Sequence, residues 1–276
     1  MTTRWARRRR DDAVRDADAA VRARAGGFRR DVASVAGRAL RQIPREPASA
    51  LPAVIVPAFF YAVNLGALEN LAGPALDYKA FLIPMAIAFA VTGMSRAPTL
   101  VTDIQGGYFD RLCMAPIRRS ALLLGLMVAD VVVIVTLCLP VLAIGFGVGV
   151  RFVTGAPGVL VFVAFSALWG LVFTGLPYAV ALKTGSPAAV NATFVVFFPL
   201  FFLSDAVMPK ALLTGWFSDI ATYNPVTYVL GALRALITSG WRVGPILEGA
   251  AAMAGIGLVS MSLALGALRG RIKRAA

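Results

Sequence analysis

The sequence predicts an all-α membrane protein. Six transmembrane helices, cytoplasmic N- and C-termini, an amphipathic interfacial helix before the first span and an external helical hairpin between spans five and six are expected. Three observations carry this. Of 276 residues, 59% are hydrophobic and only 15% charged, whereas a soluble domain is about half apolar and a quarter charged. Six stretches approach the roughly 20 apolar residues that a helix needs to cross a bilayer core. The basic residues, finally, are distributed very unevenly between the intervening segments.

The stretches lie at about 48–68, 78–95, 121–150, 158–182, 188–204 and 249–268. The third contains one acid, Asp130, and is long enough to tilt or protrude. Pro57, Pro84, Pro140, Pro177 and Pro199 fall inside these runs, and membrane helices tolerate proline better than soluble ones. No run alternates polar and apolar residues, which excludes a β-barrel. Placing the N-terminus inside assigns 1–47, 96–120, 183–187 and 269–276 to the cytoplasm. These carry 22 of the 27 basic residues, the asymmetry expected of cytoplasmic segments. The region 205–245 is expected outside, helical but not crossing, because Asp205, Lys210, Asp219, Arg234 and Arg242 interrupt it. Trp216, Tyr223, Tyr228 and Trp241 suit the headgroup level, and Asn224-Pro225 reads as a break that opens a new helix.

The net charge of +13 raises the question of nucleic acid, yet 13 arginines are packed into the first 45 residues rather than spread over a surface. No nucleic-acid partner is expected. Residues 1–27 read as a flexible Arg-rich cytoplasmic arm, without the apolar core of a signal peptide. The next segment, 28–47, reads as the interfacial helix. Phe28, Val32, Val35, Ala36, Ala39, Leu40 and Ile43 form one stripe at helical spacing. Arg29, Arg30, Arg38 and Arg41 flank it, as in a helix lying on an anionic leaflet. It could serve as a simple anchor or as a lever touching a cytoplasmic partner. Residues 48–270 are then expected to form the six-span domain and 271–276 a cytoplasmic tail.

Little in the chain could perform chemistry. Histidine is absent, which removes catalytic triads and the HExxH metal site. No GxxxxGK[ST] occurs, so the chain has no P-loop of its own. Cys113 and Cys138 sit 25 positions apart in apolar settings and form no CxxC pair. Catalytic, cofactor and metal residues are therefore expected to be none. Asp130 is the one acid well inside a span, either paired structurally or part of a transport path. Asn191, Phe194, Phe198 and Phe201 on the fifth span, with Trp169 on the fourth, are the other path candidates; for the phenylalanines lipid contact is the alternative, and for Trp169 packing. Gly145-x-x-x-Gly149 and Gly266-x-x-x-Gly270 fit the small-residue pattern of packed membrane helices.

The segment between spans two and three is the most informative. It runs from Ser95 through Asp103, Gly107, Tyr108, Phe109, Asp110, Arg111 and Leu112 to Pro116, Arg118 and Arg119. Apolar side chains interleaved with charges suit a docking surface. This pattern resembles the cytoplasmic loop of type-2 ATP-binding-cassette (ABC) export permeases. A second block strengthens the likeness: Phe198-Pro199-Leu200-Phe201-Phe202, Met208-Pro209, Gly215-Trp216-Phe217 and Tyr223-Asn224-Pro225-Val226-Thr227-Tyr228. It is similar to the end of span five and the external hairpin of the daunorubicin/doxorubicin-resistance-like branch. Gln105-Gly106 and Asp205-Ala206-Val207 depart from the usual pattern.

The resemblance implies a permease subunit, in a bacterial plasma membrane, that exports an amphipathic compound such as a drug, antibiotic or lipid-like molecule. It implies a second permease half, identical or homologous, and two copies of a separate ABC ATPase that binds ATP and Mg; no cofactor belongs to this chain. Asp103, Gly107, Tyr108, Phe109, Asp110, Arg111 and Leu112 would form the ATPase-coupling loop, with the interfacial helix (Phe28, Val32, Val35, Leu40, Arg41) beside it. Trp216, Asn224, Pro225 and Tyr228 would cap the exit. The alternatives are a proton-coupled secondary transporter, a lipid or glycan exporter of the same family, a membrane-embedded enzyme, and a scaffold without transport.

Overall fold

The computed structural model describes residues 27–42, 47–69, 76–92, 95–109 and 119–275. Among these, the regular structure is entirely helical: α1 (Phe28–Gln42), α2 (Pro47–Leu68), α3 (Tyr78–Thr92), α4 (Ala97–Gln105), α5 (Arg119–Gly147), α6 (Gly155–Thr184), α7 (Pro187–Phe202), α8 (Gly215–Tyr223), α9 (Pro225–Arg234) and α10 (Val243–Ala275). A short 3-10 turn, Lys210–Leu212, precedes α8, and a π-helical turn, Ala235–Ser239, extends α9. The expected arm, Ile43 at the end of the α1 stripe, and Asp110, Arg111, Leu112, Cys113, Pro116 and Arg118 lie outside the described residues.

Among the described residues, four helical stretches are long and apolar enough to cross a membrane: Tyr78–Gln105, Ser120–Gly147, Gly155–Thr184 and Val243–Arg271. The first runs over Gly93 and Met94, which are not described. Pro52–Leu68 and Pro187–Phe202 are apolar but shorter.

Helix α3 sits at the centre; apart from Lys79, all its residues are buried. Around it α2, α5, α6, α7 and α9 close an apolar core in which Phe89 meets Phe60, Phe197, Phe198, Phe201 and Phe202 at ring-centroid distances of 4.8–5.9 Å. A second core joins α1, α4, Phe109 and the adjoining turns of α5, α6, α7 and α10. Outside, the apolar character persists. Ile55, Phe59 and Val63 on α2, and Leu247, Leu258, Val259 and Leu263 on α10, are exposed. A face of that kind belongs in hydrocarbon or against another protein.

Close approach depends on single glycines rather than on paired ones. A Cβ at Gly175 would lie 2.7 Å from the Ser260 carbonyl carbon, so α6 and α10 touch backbone to backbone. Ser260 Oγ donates across that contact to Val172 O at 2.6 Å. Gly145 faces Ile83, but a Cβ added at Gly149, Gly266 or Gly270 would meet nothing within 4 Å. The four-residue glycine spacing in the sequence is thus not what brings these helices together.

The assembly has two distinct ends. At the basic end lie α1, α4, the α6–α7 turn and the last turns of α10, linked by Gln105 Nε2 donating to Gly185 O (3.0 Å) and Arg271 Nη1 donating to Leu182 O (3.3 Å). At the hairpin end lie the start of α3, the α5–α6 turn and 203–242. There Tyr78 donates to Val207 O (2.7 Å), and Thr154 to Leu236 O (2.6 Å).

Candidate functional site

At the basic end the sequence stripe of α1 acquires a partner. Val35, Ala36 and Ala39 are buried, and a Cβ at Gly125 of α5 would lie 2.6 Å from Val35 Cβ. The middle of the stripe is therefore spent on protein packing against α5. Phe28, Val32 and Leu40 are half-buried at its margins, while Arg29, Arg30 and Arg41 remain exposed.

From this docked helix Arg38 reaches α4. Its Nη2 donates to Asp103 Oδ2 at 2.5 Å and its Nη1 to Oδ1 at 3.4 Å. The same guanidinium lies over the Tyr108 ring, 4.4 Å from the centroid. A planar guanidinium can do both, whereas an ammonium could satisfy only one geometry well. Gly107, with φ of +69°, supplies the left-handed turn that redirects the chain after α4. Phe109 is buried, and Arg271 from α10 lies 5.8 Å from its ring centroid. The structure thus gathers Asp103, Gly107, Tyr108 and Phe109 with α1 on one surface. Arg38, which the sequence marked only as a flanking charge, is the residue that ties them.

Beneath this surface Asp130 is 2% exposed. Its Oδ1 accepts from the Arg96 backbone N–H at 2.8 Å, and its Oδ2 accepts from Tyr178 Oη–H at 2.6 Å. Asp130 on α5 therefore caps the start of α4 while gripping α6. A carboxylate suits a helix start, where N–H groups lack partners and the dipole is positive.

The path candidates separate. Asn191 and Phe194 line a pocket of about 300 Å³ with Thr92, Ser95, Phe173 and Thr193. Trp169 is buried beside it and donates from Nε1 to Thr92 Oγ1 at 3.0 Å. Phe201 is fully buried in the Phe89 cluster, whereas Phe198 is partly exposed. Among the described residues no cluster of His, Cys, Asp or Glu could hold a metal ion.

At the hairpin end, Asn224 closes α7 and opens α9 together. Its Nδ2 donates to Leu200 O (2.5 Å) and Leu203 O (3.0 Å), while its Oδ1 accepts from Val226 N–H (3.0 Å). Pro225 occupies the first position of α9, where its missing N–H costs nothing. Tyr228 donates to Thr222 O (2.7 Å), and Trp216 is largely exposed. Arg234 binds Asp205 Oδ2 at 2.6 Å and also the carbonyls of Asp205, Ala206 and Phe81 at 2.8, 3.1 and 3.2 Å. Burial pushes the Asp205 carboxyl above its ordinary range, and the guanidinium beside it pulls it part of the way back. The sequence shows Asp205 and Arg234 as separate interruptions; opposite charges at the two ends of one segment were the available signal that they pair.

Comparison with known proteins matches the sequence to one family. The model for ABC-2 type transporters matches residues 31–238, from within α1 to the π-helical turn after α9. The probable doxorubicin resistance ABC transporter permease protein DrrC of Mycobacterium tuberculosis is 25% identical over 234 residues, covering 83% of this chain and 85% of that protein. The daunorubicin resistance ABC transporter permease protein DrrB1 of Streptomyces coeruleorubidus is 31% identical over 183 residues, 62% of either chain. The putative transport permease ycf38 of Cyanophora paradoxa is 24% identical over 213 residues, 72% of each. With three quarters of its length matched, and with long apolar helices arranged around a buried central one, this chain belongs to the ABC-2 type transporter family.

Proposed function

We propose that this permease is the membrane half of an exporter for an amphipathic compound, driven by a separate ABC ATPase that docks at the basic end. The carrying observation is the Arg38–Asp103 pair, which makes α1 and α4 one body directly above Asp130 and the start of α4. A push on that surface reaches the bundle through packed helices rather than through a loose loop. The functional complex contains two permease halves and two ATPase copies, which bind the ATP and Mg. Asp110, Arg111 and Leu112, outside the described residues, are assigned to docking on the sequence pattern alone. Relatives named for doxorubicin and daunorubicin resistance support a drug-like cargo.

The chain crosses a bacterial plasma membrane six times, with both termini in the cytoplasm. Supporting this, the segments that hold 22 of 27 basic residues include all those found at the basic end. The shorter α2 and α7 are the fifth and sixth crossings to add to the four long ones. The hairpin α8–α9 then caps the exit.

The test is a charge exchange, made in the chain co-expressed with the ABC ATPase of its own gene neighbourhood. Arg38→Asp or Asp103→Arg alone places like charges together and should lower transport-coupled ATP hydrolysis about tenfold. The double exchange should recover most of it, because double-mutant coupling in such contacts is about 0.5–3 kcal/mol. Single variants that hydrolyse ATP and export cargo as well as the unmodified complex would overturn the assignment.

A further inference from the structure

Helices α7 and α8 leave between them an open groove of about 820 Å³, lined by Val195, Pro199, Leu200, Ile220, Tyr223 and Asp219. Drug-sized ligands occupy cavities of about 300–1,000 Å³. The lining is almost wholly apolar apart from one carboxylate. Asp219 is exposed, and no hydrogen bond or ion pair to another described residue engages it. Three other acids are paired: Asp103 with Arg38, Asp205 with Arg234 and Glu69 with Lys79.

The neighbours of Asp219 on α8 add a second feature. Trp216 lies three residues before it and Tyr223 four residues after, so all three share one side of the helix. Trp216 is 67% and Tyr223 87% exposed, which leaves their ring faces open. Aromatic faces beside a carboxylate attract a cation by ring quadrupole and charge together. An apolar trough ending in such a cluster matches a molecule with an apolar or aromatic body and a protonated amine.

We propose that the α7–α8 groove binds a cationic amphiphile, with Asp219 as its counter-charge and Tyr223 as an aromatic wall. This rests on the export reading above and assigns to the hairpin end a station from which cargo leaves. A phospholipid acyl chain would fit the apolar trough but gain nothing from Asp219, and an anionic headgroup would be repelled by it.

The full chain, purified and reconstituted in phosphatidylcholine nanodiscs, is titrated with the cationic dye rhodamine 6G and the neutral dye Nile red, followed by fluorescence polarisation. Rhodamine 6G should bind saturably. Asp219→Asn should weaken that binding about tenfold, as loss of a charge-assisted contact does. Asp219→Glu should restore it, and Nile red should bind Asp219→Asn and the unmodified chain alike. Val196→Trp, which fills the groove, should weaken both dyes. Absence of saturable rhodamine 6G binding, or equal binding by Asp219→Asn, overturns the proposal; so does parallel loss of both dyes in Asp219→Asn, which would mark a shape effect rather than a charge effect. Because no ATPase is present, failure here with intact Arg38–Asp103 coupling sinks the groove alone. Failure of coupling with intact dye binding sinks the ATPase-driven reading alone.

Discussion

Replacing Arg234 with alanine is expected to destabilise the hairpin end more than any other single change at that end. The guanidinium is 9% exposed. It ties the chain after α7 to α9 through Asp205, and both to the start of α3 through Phe81 O. It also lies 3.6 Å from the Phe81 ring centroid. Alanine removes the partner of a buried carboxylate and of three carbonyls at once. Breaking a buried pair from one side costs about 3–5 kcal/mol, since the remaining charge stays uncompensated. At about 2–4 °C per kcal/mol for a chain of this general size, the melting midpoint should fall by roughly 10 °C. Arg234→Lys keeps the charge but offers a point donor in place of a fork, so it should recover only part of the loss. Heating the purified protein and following tryptophan fluorescence reads this directly. A midpoint within about 2 °C of the unmodified protein would show that the pair does not hold the hairpin.

The sequence could announce that Arg234 needs a partner but not which one. Asp205 is 29 residues away, Asp103 is 65 from Arg38, and Tyr178 is 48 from Asp130. Each pairing depends on how one helix is rotated against another, and that rotation is set by packing rather than by local pattern. What is local was legible. The periodic stripe marked the stretch that forms α1, since Phe28–Gln42 follows the apolar spacing, whereas the expected end at 47 falls where Pro47 already opens α2. Asn224-Pro225 marked the α8–α9 boundary because its chemistry is confined to adjacent residues. The direction of the α1 stripe was not legible, because a face that can lie on a membrane can equally lie on Gly125 and Val35's neighbours in α5. The glycine spacing misled for a related reason. One glycine opposite one bulky side chain suffices for close approach, as at Gly170 against Ile134, so no repeat is needed to produce it.

Asp130 is the position at which architecture and transport chemistry make opposite forecasts. Asp130→Ala removes the carboxylate that accepts from the half-buried Arg96 N–H and the buried Tyr178 hydroxyl. At about 1–3 kcal/mol for each orphaned donor, the loss should be roughly 3 kcal/mol, and α4 should lose its fixed start. Coupling to an ATPase should fall with it, because the Asp103 that pairs with Arg38 lies about two turns further along α4. Asp130→Asn is different. Its carboxamide oxygen can still accept from the Arg96 N–H, and its NH₂ can donate to Tyr178, whose hydroxyl can turn to accept. The grip on α4 and α6 is kept without any group that exchanges protons. If Asp130 is a structural clamp, the asparagine variant should melt within about 3 °C of the unmodified protein and export within about twofold of it, while the alanine variant fails in both. A proton-coupled transporter predicts the reverse separation: the asparagine variant would fold normally and transport nothing. Measuring melting and vesicle export side by side decides between them, and an inactive but stable Asp130→Asn would overturn the clamp and return the carboxylate to the transport path.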